Sequence, residues 1–210
     1  MSKLACVLTV LAIVAGGALF WRLAGTKEVE TVFEPPTKIL EAGSPCPWRN
    51  LESDMTNWFP GATGYEVHDL TLSSQRLVLQ QKLGRALLPG EMSLRYYLID
   101  SGTAHVGSVL PSRVKGPHGA IEIVTAIDGE ARVRAFKLQT IREPAELVAE
   151  LDRMNLEKQF EKKTALDDFS VNLPKETTSR TAAECAQLVA TSVKTQLVLW
   201  EAGGLDVRHH

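Results

Sequence analysis

The side chains that most often perform catalysis are few and scattered in this sequence. His68, His105 and His118 lie far apart, and none belongs to a zinc-protease, phosphate-loop or hydrolase motif. Cys46 and Cys185 are the only cysteines outside the N-terminal apolar run, and their separation does not match a metal site. They leave two alternatives open, a disulfide between them or a buried thiol at Cys185. The residues therefore indicate no independent catalytic site.

Anion binding is a second kind of chemistry that the residue types allow. Arg113, Lys115 and Arg142 place positive charge around a Gly-rich turn. A long helix predicted to begin near residue 181 would add free N–H groups and the positive end of a helix dipole. Together these groups would suit a phosphate. Solvated basic residues in a loop and a turn are the alternative, and the residues alone favour it.

The order of several short motifs adds to this interpretation. Gly116-Pro117-His118-Gly119-Ala120 leads into a predicted strand, Asp128-Gly129 separates it from the next, and Arg142-Glu143-Pro144 precedes a helix. This order resembles the FMN-binding domain of the G subunit of the Rnf ion-pumping complex and the C subunit of sodium-pumping NADH:quinone reductase. The resemblance covers roughly residues 51–202 and includes the phrase Trp58-Phe59-Pro60-Gly61-Ala62. It implies FMN as the cofactor of a membrane electron-transfer subunit.

The attachment motif of that family is altered in this chain. Family members carry Asp-x-x-(Ser/Thr)-Gly-Ala-Thr before the final helix, and its Thr is esterified to the FMN phosphate. Thr177 takes the acceptor position here, but Val171 replaces the Asp, and the three residues 174–176, Pro-Lys-Glu, replace Ser/Thr, Gly and Ala. The resemblance thus implies FMN that is bound noncovalently or lost. The cofactor-binding residues that it implies are Thr177, Thr178, Ser179, Arg113, Gly119 and Glu143.

Apolar periodicity predicts the elements that would position these residues. Helical patterns cover residues 51–59, 73–88 and 144–154, and a capping box at Thr181-Ala182-Ala183-Glu184 opens a last helix that Gly203-Gly204 ends. Alternating patterns cover 94–99, 105–110, 121–127 and 132–138, and Asp128-Gly129 is expected to supply positive φ in the last hairpin. We therefore expect an α+β domain with four antiparallel strands in a small twisted sheet, packed by the C-terminal helix and its neighbours.

The N-terminus predicts attachment to a membrane. Leu4 to Trp21 is an unbroken run of 18 uncharged residues, which as a helix covers roughly 27 Å and spans a bilayer once. A cleaved signal peptide is the main alternative, and a lipoprotein signal at Cys6 fits poorly because no apolar region precedes it. The balance of flanking charges favours the N-terminus inside, with the bulk of the chain on the periplasmic, extracytoplasmic side.

These features predict a chain of four parts: an anchor at 1–25, a Pro-containing tether at 26–50, a folded domain at 51–203 and a tail at 204–210. A net charge of −2 without a dense Lys/Arg block argues against nucleic acid as a partner. Two functions remain open. One is an accessory subunit of an electron-transfer complex, and the other is a non-redox structural subunit that holds a membrane complex together. Both imply other membrane subunits and the lipid bilayer as partners.

Overall fold

A computed structural model describes residues 51–174 and 179–203 of the chain. Its α-helices are α1 (Leu51–Trp58), α2 (Arg76–Leu83), α3 (Ala145–Arg153), α4 (Leu156–Phe160) and α5 (Arg180–Ala202). Its strands are β1 (Gly64–Thr71), β2 (Ser93–Ser101), β3 (Ala104–Lys115), β4 (Ala120–Asp128) and β5 (Val133–Ile141). Short 3₁₀ helices at Ser73–Gln75 and Pro89–Met92 flank α2 and its loop. The predicted α+β class is confirmed.

The five strands form one antiparallel sheet in the order β1-β2-β3-β4-β5. Each strand pairs with its neighbour in sequence, so tight turns suffice to connect most of them. The prediction of four strands was wrong by one, because β1 was not recognised. The register pairs Lys115 with Ala120 and Ile121 with Ile141. The β3–β4 turn and the end of β5 therefore meet at the same end of the sheet.

One face of the sheet forms the larger core against α5. Leu110, Ile121 and Ile123 on the sheet are fully buried in the same cluster as Val189 and Val193 of α5. The helices α2 and α3 pack against α5 in turn. The expected packing of the sheet by the C-terminal helix and its neighbours is confirmed, since burial of this apolar stripe drives the helix onto the sheet.

A second, smaller core lies on the opposite face under α1. Leu51, Met55 and Phe59 pack against the sheet residues Ile99, Val109, Val124, Ala126 and Ala135. The helix ends at Trp58, just before Pro60 and Gly61, as predicted, and Gly61 has φ +94°. The Phe59 ring lies against Gly107, where a Cβ would be 2.5 Å from it. The sheet is therefore covered by helices on both faces.

The start of α5 differs from the predicted capping box. Ser179, not Thr181, is the N-cap residue, and its Oγ accepts the N–H of Ala182 at 3.2 Å. Glu184 forms an ion pair with Arg180 at 2.8 Å. Serine and threonine are both favoured as N-cap residues, and the use of Ser179, two residues upstream, lengthens the helix by about half a turn.

The Asp128-Gly129 hairpin also differs in detail. The positive φ falls on Ala131, at +61°, and not on Gly129. Asp128 explains this, because its Oδ1 accepts the N–H groups of Glu130 at 2.9 Å and Arg132 at 3.0 Å. The aspartate therefore shapes a longer turn than the two-residue hairpin that was expected.

The predicted helix over 73–88 is shorter than expected. It is a 3₁₀ turn followed by α2, which ends at Leu83 because Gly84 adopts a left-handed conformation with φ +65°.

No helix within 51–174 or 179–203 has the length and apolar character needed to cross a bilayer. The predicted span, Leu4 to Trp21, lies outside the described residues, as do the tether and the tail.

Candidate functional site

The Gly-rich turn between β3 and β4 surrounds the side chain of Glu143. Oε1 of Glu143 accepts the N–H of Gly119 at 3.0 Å, and both carboxylate oxygens lie 3.2 Å from the N–H of His118. The His118 ring contributes a further hydrogen bond from Nδ1 to Oε2 at 2.8 Å. The Glu143 side chain has no exposed surface, whereas that of His118 is 57 % exposed. We call this arrangement of residues 116–119 and Glu143 the Glu143 clasp.

The Glu143 clasp requires glycine at positions 116 and 119 because other atoms lie too close to leave room for a Cβ. A Cβ at Gly116 would lie 2.1 Å from Oε1 of Glu143, and one at Gly119 would lie 2.1 Å from the carbonyl oxygen of Arg142. Neither glycine has a positive φ, so space is the reason for both. The turn closes on itself through a hydrogen bond from the N–H of Gly116 to the carbonyl of Gly119 at 2.8 Å.

The Glu143 clasp stabilises a negative charge just below the protein surface. Burial alone would raise the pKa of Glu143, but the hydrogen bonds from the His118 side chain and from the N–H groups of Gly119 and His118 outweigh it. The pKa of Glu143 is consequently lowered from its ordinary value. Glu143 is thus a carboxylate at neutral pH, and it occupies the donors of the turn.

A second carboxylate occupies the start of α5. Oε2 of Glu150, on α3, accepts the N–H of Ser179 at 2.7 Å. Hydrogen bonds from the backbone and side chain of Ser179 lower the pKa of Glu150. Because a helix N-terminus carries partial positive charge, it stabilises this carboxylate as it would a bound anion. Both glutamates come from the segment that follows β5.

Arg113 lies at the same end of the sheet but is already paired. It is opposite Glu122 in the β3–β4 register, and its Nη2 donates to Oε1 of Glu122 at 2.9 Å. The Glu122 side chain is 2 % exposed and that of Arg113 is 48 % exposed. Removing Arg113 would leave a buried carboxylate without its charge partner, which is costly. A structural role therefore accounts for Arg113 without a ligand.

The residues implied by the resemblance separate into three groups. Gly119 and Glu143 are brought into direct contact, and Ser179 lies at the helix start that Glu150 occupies. Arg113 neutralises Glu122. Thr177 and Thr178 lie outside the described residues.

A phosphate does not fit the donors that the structure brings together. The N–H groups of His118, Gly119 and Ser179 already donate to carboxylates, and a phosphate in either place would meet a like charge a few ångströms away. Within the described part of the chain, these residues therefore do not support the binding of FMN through its phosphate at the Glu143 clasp or at the start of α5.

The contacts of Glu150, Glu122 and His118 were not anticipated from the sequence. Glu150 lies in the helix predicted over 144–154 but was not singled out there, and Glu122 lies in a strand whose neighbouring residues Ile121 and Ile123 are apolar. A charged residue between buried apolar residues of a strand is a signal that the charge is paired, and this signal could have identified Glu122. His118 was named in the Gly-rich turn, but its hydrogen bond to Glu143 was not anticipated.

Within the described residues, the other two histidines, His68 and His105, and Cys185 have structural roles. His105 hydrogen-bonds Asp100, and His68 hydrogen-bonds Glu66 at 3.2 Å while stacking on Tyr96. Cys185 is a free thiol without exposed surface, and burial, with the nearby carboxylates of Glu143 and Glu184, raises its pKa. It is a protonated core residue, as its apolar neighbours in sequence suggested.

The described residues contain no group of three or more His, Cys, Asp or Glu side chains placed to hold a metal ion. The chain matches no protein-family model, and a comparison with curated proteins gives no match. The resemblance to the FMN-binding domain consequently depends on the quoted motifs alone.

Proposed function

We propose that this chain is a membrane-anchored, non-redox structural subunit of a larger membrane complex. Its domain resembles the FMN-binding domain but works without flavin. The single observation that supports this proposal most strongly is the Glu143 carboxylate inside the turn of residues 116–119. A side chain of the protein takes the hydrogen bonds that a bound anion would need.

The negative charges of Glu143 and Glu150 support the same conclusion. A flavin mononucleotide carries a phosphate of charge near −2, and Glu143 and Glu150 hold their own negative charge at neutral pH because their pKa values are lowered. Like charges at short distance oppose binding, most of all where water is excluded. A phosphate at either place would first have to displace the carboxylate that takes the hydrogen bonds there.

The absence of a flavin would leave the described residues without a redox group, since Cys185 is a buried, protonated thiol. What remains is a rigid sheet with helices on both faces, joined by a predicted tether to a predicted membrane anchor. Such a domain is suited to holding partners at the membrane surface. We expect those partners to be other subunits of the complex, with the domain on the extracytoplasmic side.

The visible absorption spectrum of the full chain in mild detergent tests the proposal. We expect no flavin bands, and no quenching of FMN fluorescence when FMN is added. A nearly equimolar flavin spectrum, or saturable FMN binding, would restore the electron-transfer function. Acid precipitation would then separate noncovalent flavin from flavin esterified to Thr177. Glu143→Gln provides a comparison, because it removes one charge from the Glu143 clasp while keeping its shape.

Purification from native membranes after mild cross-linking tests the structural role itself. We expect a defined set of membrane proteins to remain with the chain at constant ratio. A colourless chain that purifies as a monomer, with and without cross-linking, would contradict a structural role in a complex.

A further inference from the structure

Three large aliphatic side chains are exposed together around α2. Leu77 is 81 % exposed, Val78 is 55 % exposed and Leu88, in the following loop, is 67 % exposed. Leu79 faces the other way and is fully buried in the larger core. The helix α2 is therefore apolar on its outer side as well as on its inner side. We call Leu77, Val78 and Leu88 the Leu77 patch.

Hydrogen bonds hold the parts of the Leu77 patch next to each other. Nη2 of Arg76, the first residue of α2, donates to the carbonyl of Leu87 at 2.9 Å. This bond keeps the chain at Leu88 beside the first turn of α2, which carries Leu77. A bidentate pair between Arg85 and Glu91, at 2.9 and 2.7 Å, fixes the same loop. The patch belongs to an ordered part of the surface.

The surroundings of the Leu77 patch are basic. Residues 70–90 contain three basic residues, Arg76, Lys82 and Arg85, and neither Asp nor Glu. The carboxylates at either end are neutralised, because Asp69 pairs with Arg95 and Glu91 pairs with Arg85, each at 2.7 Å. Arg76 and Lys82 are exposed, and neither forms an ion pair with a carboxylate among the residues the structure describes. Two positive charges thus flank the exposed aliphatic side chains.

We propose that the Leu77 patch docks onto an anionic lipid surface. Exposed leucine and valine beside uncompensated basic residues are the features by which short helices bind membrane interfaces, the apolar groups entering the headgroup boundary and the cations contacting lipid charge. The inference rests on the membrane attachment in the proposed function. A tether of residues 26–50 would span at most roughly 90 Å when extended, so a domain held by the predicted anchor could reach the bilayer.

Hydrogen exchange of the full chain in lipid vesicles tests this proposal. Flotation with the vesicles reports the predicted anchor, and deuterium uptake by residues 73–90 reports the docked patch. We expect the uptake of residues 73–90 to slow on vesicles of phosphatidylcholine with phosphatidylglycerol relative to vesicles of phosphatidylcholine alone. Uptake by the strands of the larger core should be the same on both.

Matched variants separate lipid docking from a change in the fold. Lys82→Glu should weaken docking roughly 25-fold, because each unit of charge near an anionic surface is worth a factor of about 5. Leu77→Ser with Val78→Ser should remove the protection. Lys158→Glu, which also reverses an exposed charge, and Leu166→Ser, at a leucine that is 92 % exposed elsewhere, should leave it unchanged. The thermal unfolding temperature of each variant should stay near that of the parent chain.

Each other outcome has a defined meaning. A chain that floats but takes up deuterium at 73–90 equally on both vesicles would keep the anchor and overturn the docking proposal. Protection that appears only in native membranes containing other proteins would overturn it as well, in favour of a protein interface. A chain that floats on anionic vesicles alone would support docking and contradict the anchor, and one that floats on neither would contradict both.

Discussion

At the scale of single residues, carboxylates organise the turns around the candidate site. Glu143 accepts backbone N–H groups from the β3–β4 turn, Glu150 accepts one at the start of α5, and Asp128 accepts two in the next hairpin. A charged acceptor makes stronger hydrogen bonds than a neutral one, and each of these donors would otherwise need water. These carboxylates therefore take the place that a bound anion or water would have as the acceptor of the backbone N–H groups.

Gly119 should be far more sensitive to substitution than Gly129. A Cβ at Gly119 would meet the backbone of Arg142 at 2.1 Å, whereas a Cβ at Gly129 meets nothing within 4 Å. We expect Gly119→Ala to lower the free energy of unfolding by about 1–3 kcal/mol, because backbone must move to relieve the overlap. Gly129→Ala is the control and should change it little. Urea unfolding of both variants measures the difference, and equal effects would contradict the close approach.

The lowered pKa of Glu143 should make stability depend on acid pH. As the pH falls below the ordinary value of 4.5, the unfolded chain binds a proton at Glu143 before the native chain does. The contribution of Glu143 is thus full above that pH and is lost as the pH falls towards the lowered pKa. Glu143→Gln should be less stable than the parent chain at neutral pH, and the gap should narrow on acidification. Thermal unfolding of both chains across this pH range measures the difference in stability. A difference that does not change with pH would contradict a lowered pKa at Glu143.

Gly119 and Glu143 were identified from the sequence, but their contact was not. The resemblance placed both near a cofactor, whereas the structure places them against each other. They are 24 residues apart, and their meeting depends on the register in which Ile121 pairs with Ile141. Register is a property of the whole sheet, and no local pattern at either residue encodes it.

At the scale of elements, the start of α5 shows how neighbouring caps compete. Ser179 and Thr181 both have side chains that can cap a helix, and Thr181 has a glutamate at the right distance for a capping box. The structure uses Ser179, whose N–H is also taken by Glu150 of α3. The local sequence allows either residue to cap α5, and the contact between Glu150 of α3 and Ser179 favours Ser179.

Substitution of the two caps should therefore give different results. Ser179→Ala removes the acceptor of the Ala182 N–H and should cost about 1 kcal/mol of unfolding free energy. Thr181→Ala lies within the first turn of α5 at an exposed position and should be close to neutral. Equilibrium unfolding in urea compares them. A larger loss at Thr181 would reinstate the predicted capping box.

The strand β1 was missed because its pattern is weak. Its sequence, Gly-Tyr-Glu-Val-His-Asp-Leu-Thr, alternates half-buried and exposed positions without one fully buried side chain. Among the described strands it lies at the edge of the sheet and pairs with β2 alone, and edge strands carry polar residues that discourage further pairing. The central strands β3 and β4 were recognisable from their sequence patterns over 105–110 and 121–127, and the structure buries most of those residues.

At the scale of the whole molecule, α5 is the central element. Six successive residues, Thr195 to Trp200, are each at most 5 % exposed, so this part of the helix is covered on all sides. Sheet residues lie on one side, and the Arg85 guanidinium reaches Thr195 at 2.7 Å from another. Ordinary surface helices bury one stripe only. The stability of the domain therefore concentrates here.

Leu197 and Leu188 of α5 provide a matched comparison. Leu197 is 1 % exposed and Leu188 is 45 % exposed. We expect Leu197→Ala to reduce the unfolding free energy by about 2–5 kcal/mol, through lost burial and the cavity left behind. Leu188→Ala should stay within about 0.5 kcal/mol of the parent chain. Denaturant titration gives both values, and similar losses would mean that α5 is not buried as described.

The all-round burial of α5 also constrains how the protein is made. During translation the sheet is complete once Ile141 has emerged, but its apolar face stays open until the helix up to Trp200 follows. At about 5–20 residues per second this interval lasts roughly 3–12 s. The nascent chain consequently exposes Ile121, Ile123 and Ile127 for seconds, and a chaperone that shields them should raise the yield of correctly folded protein.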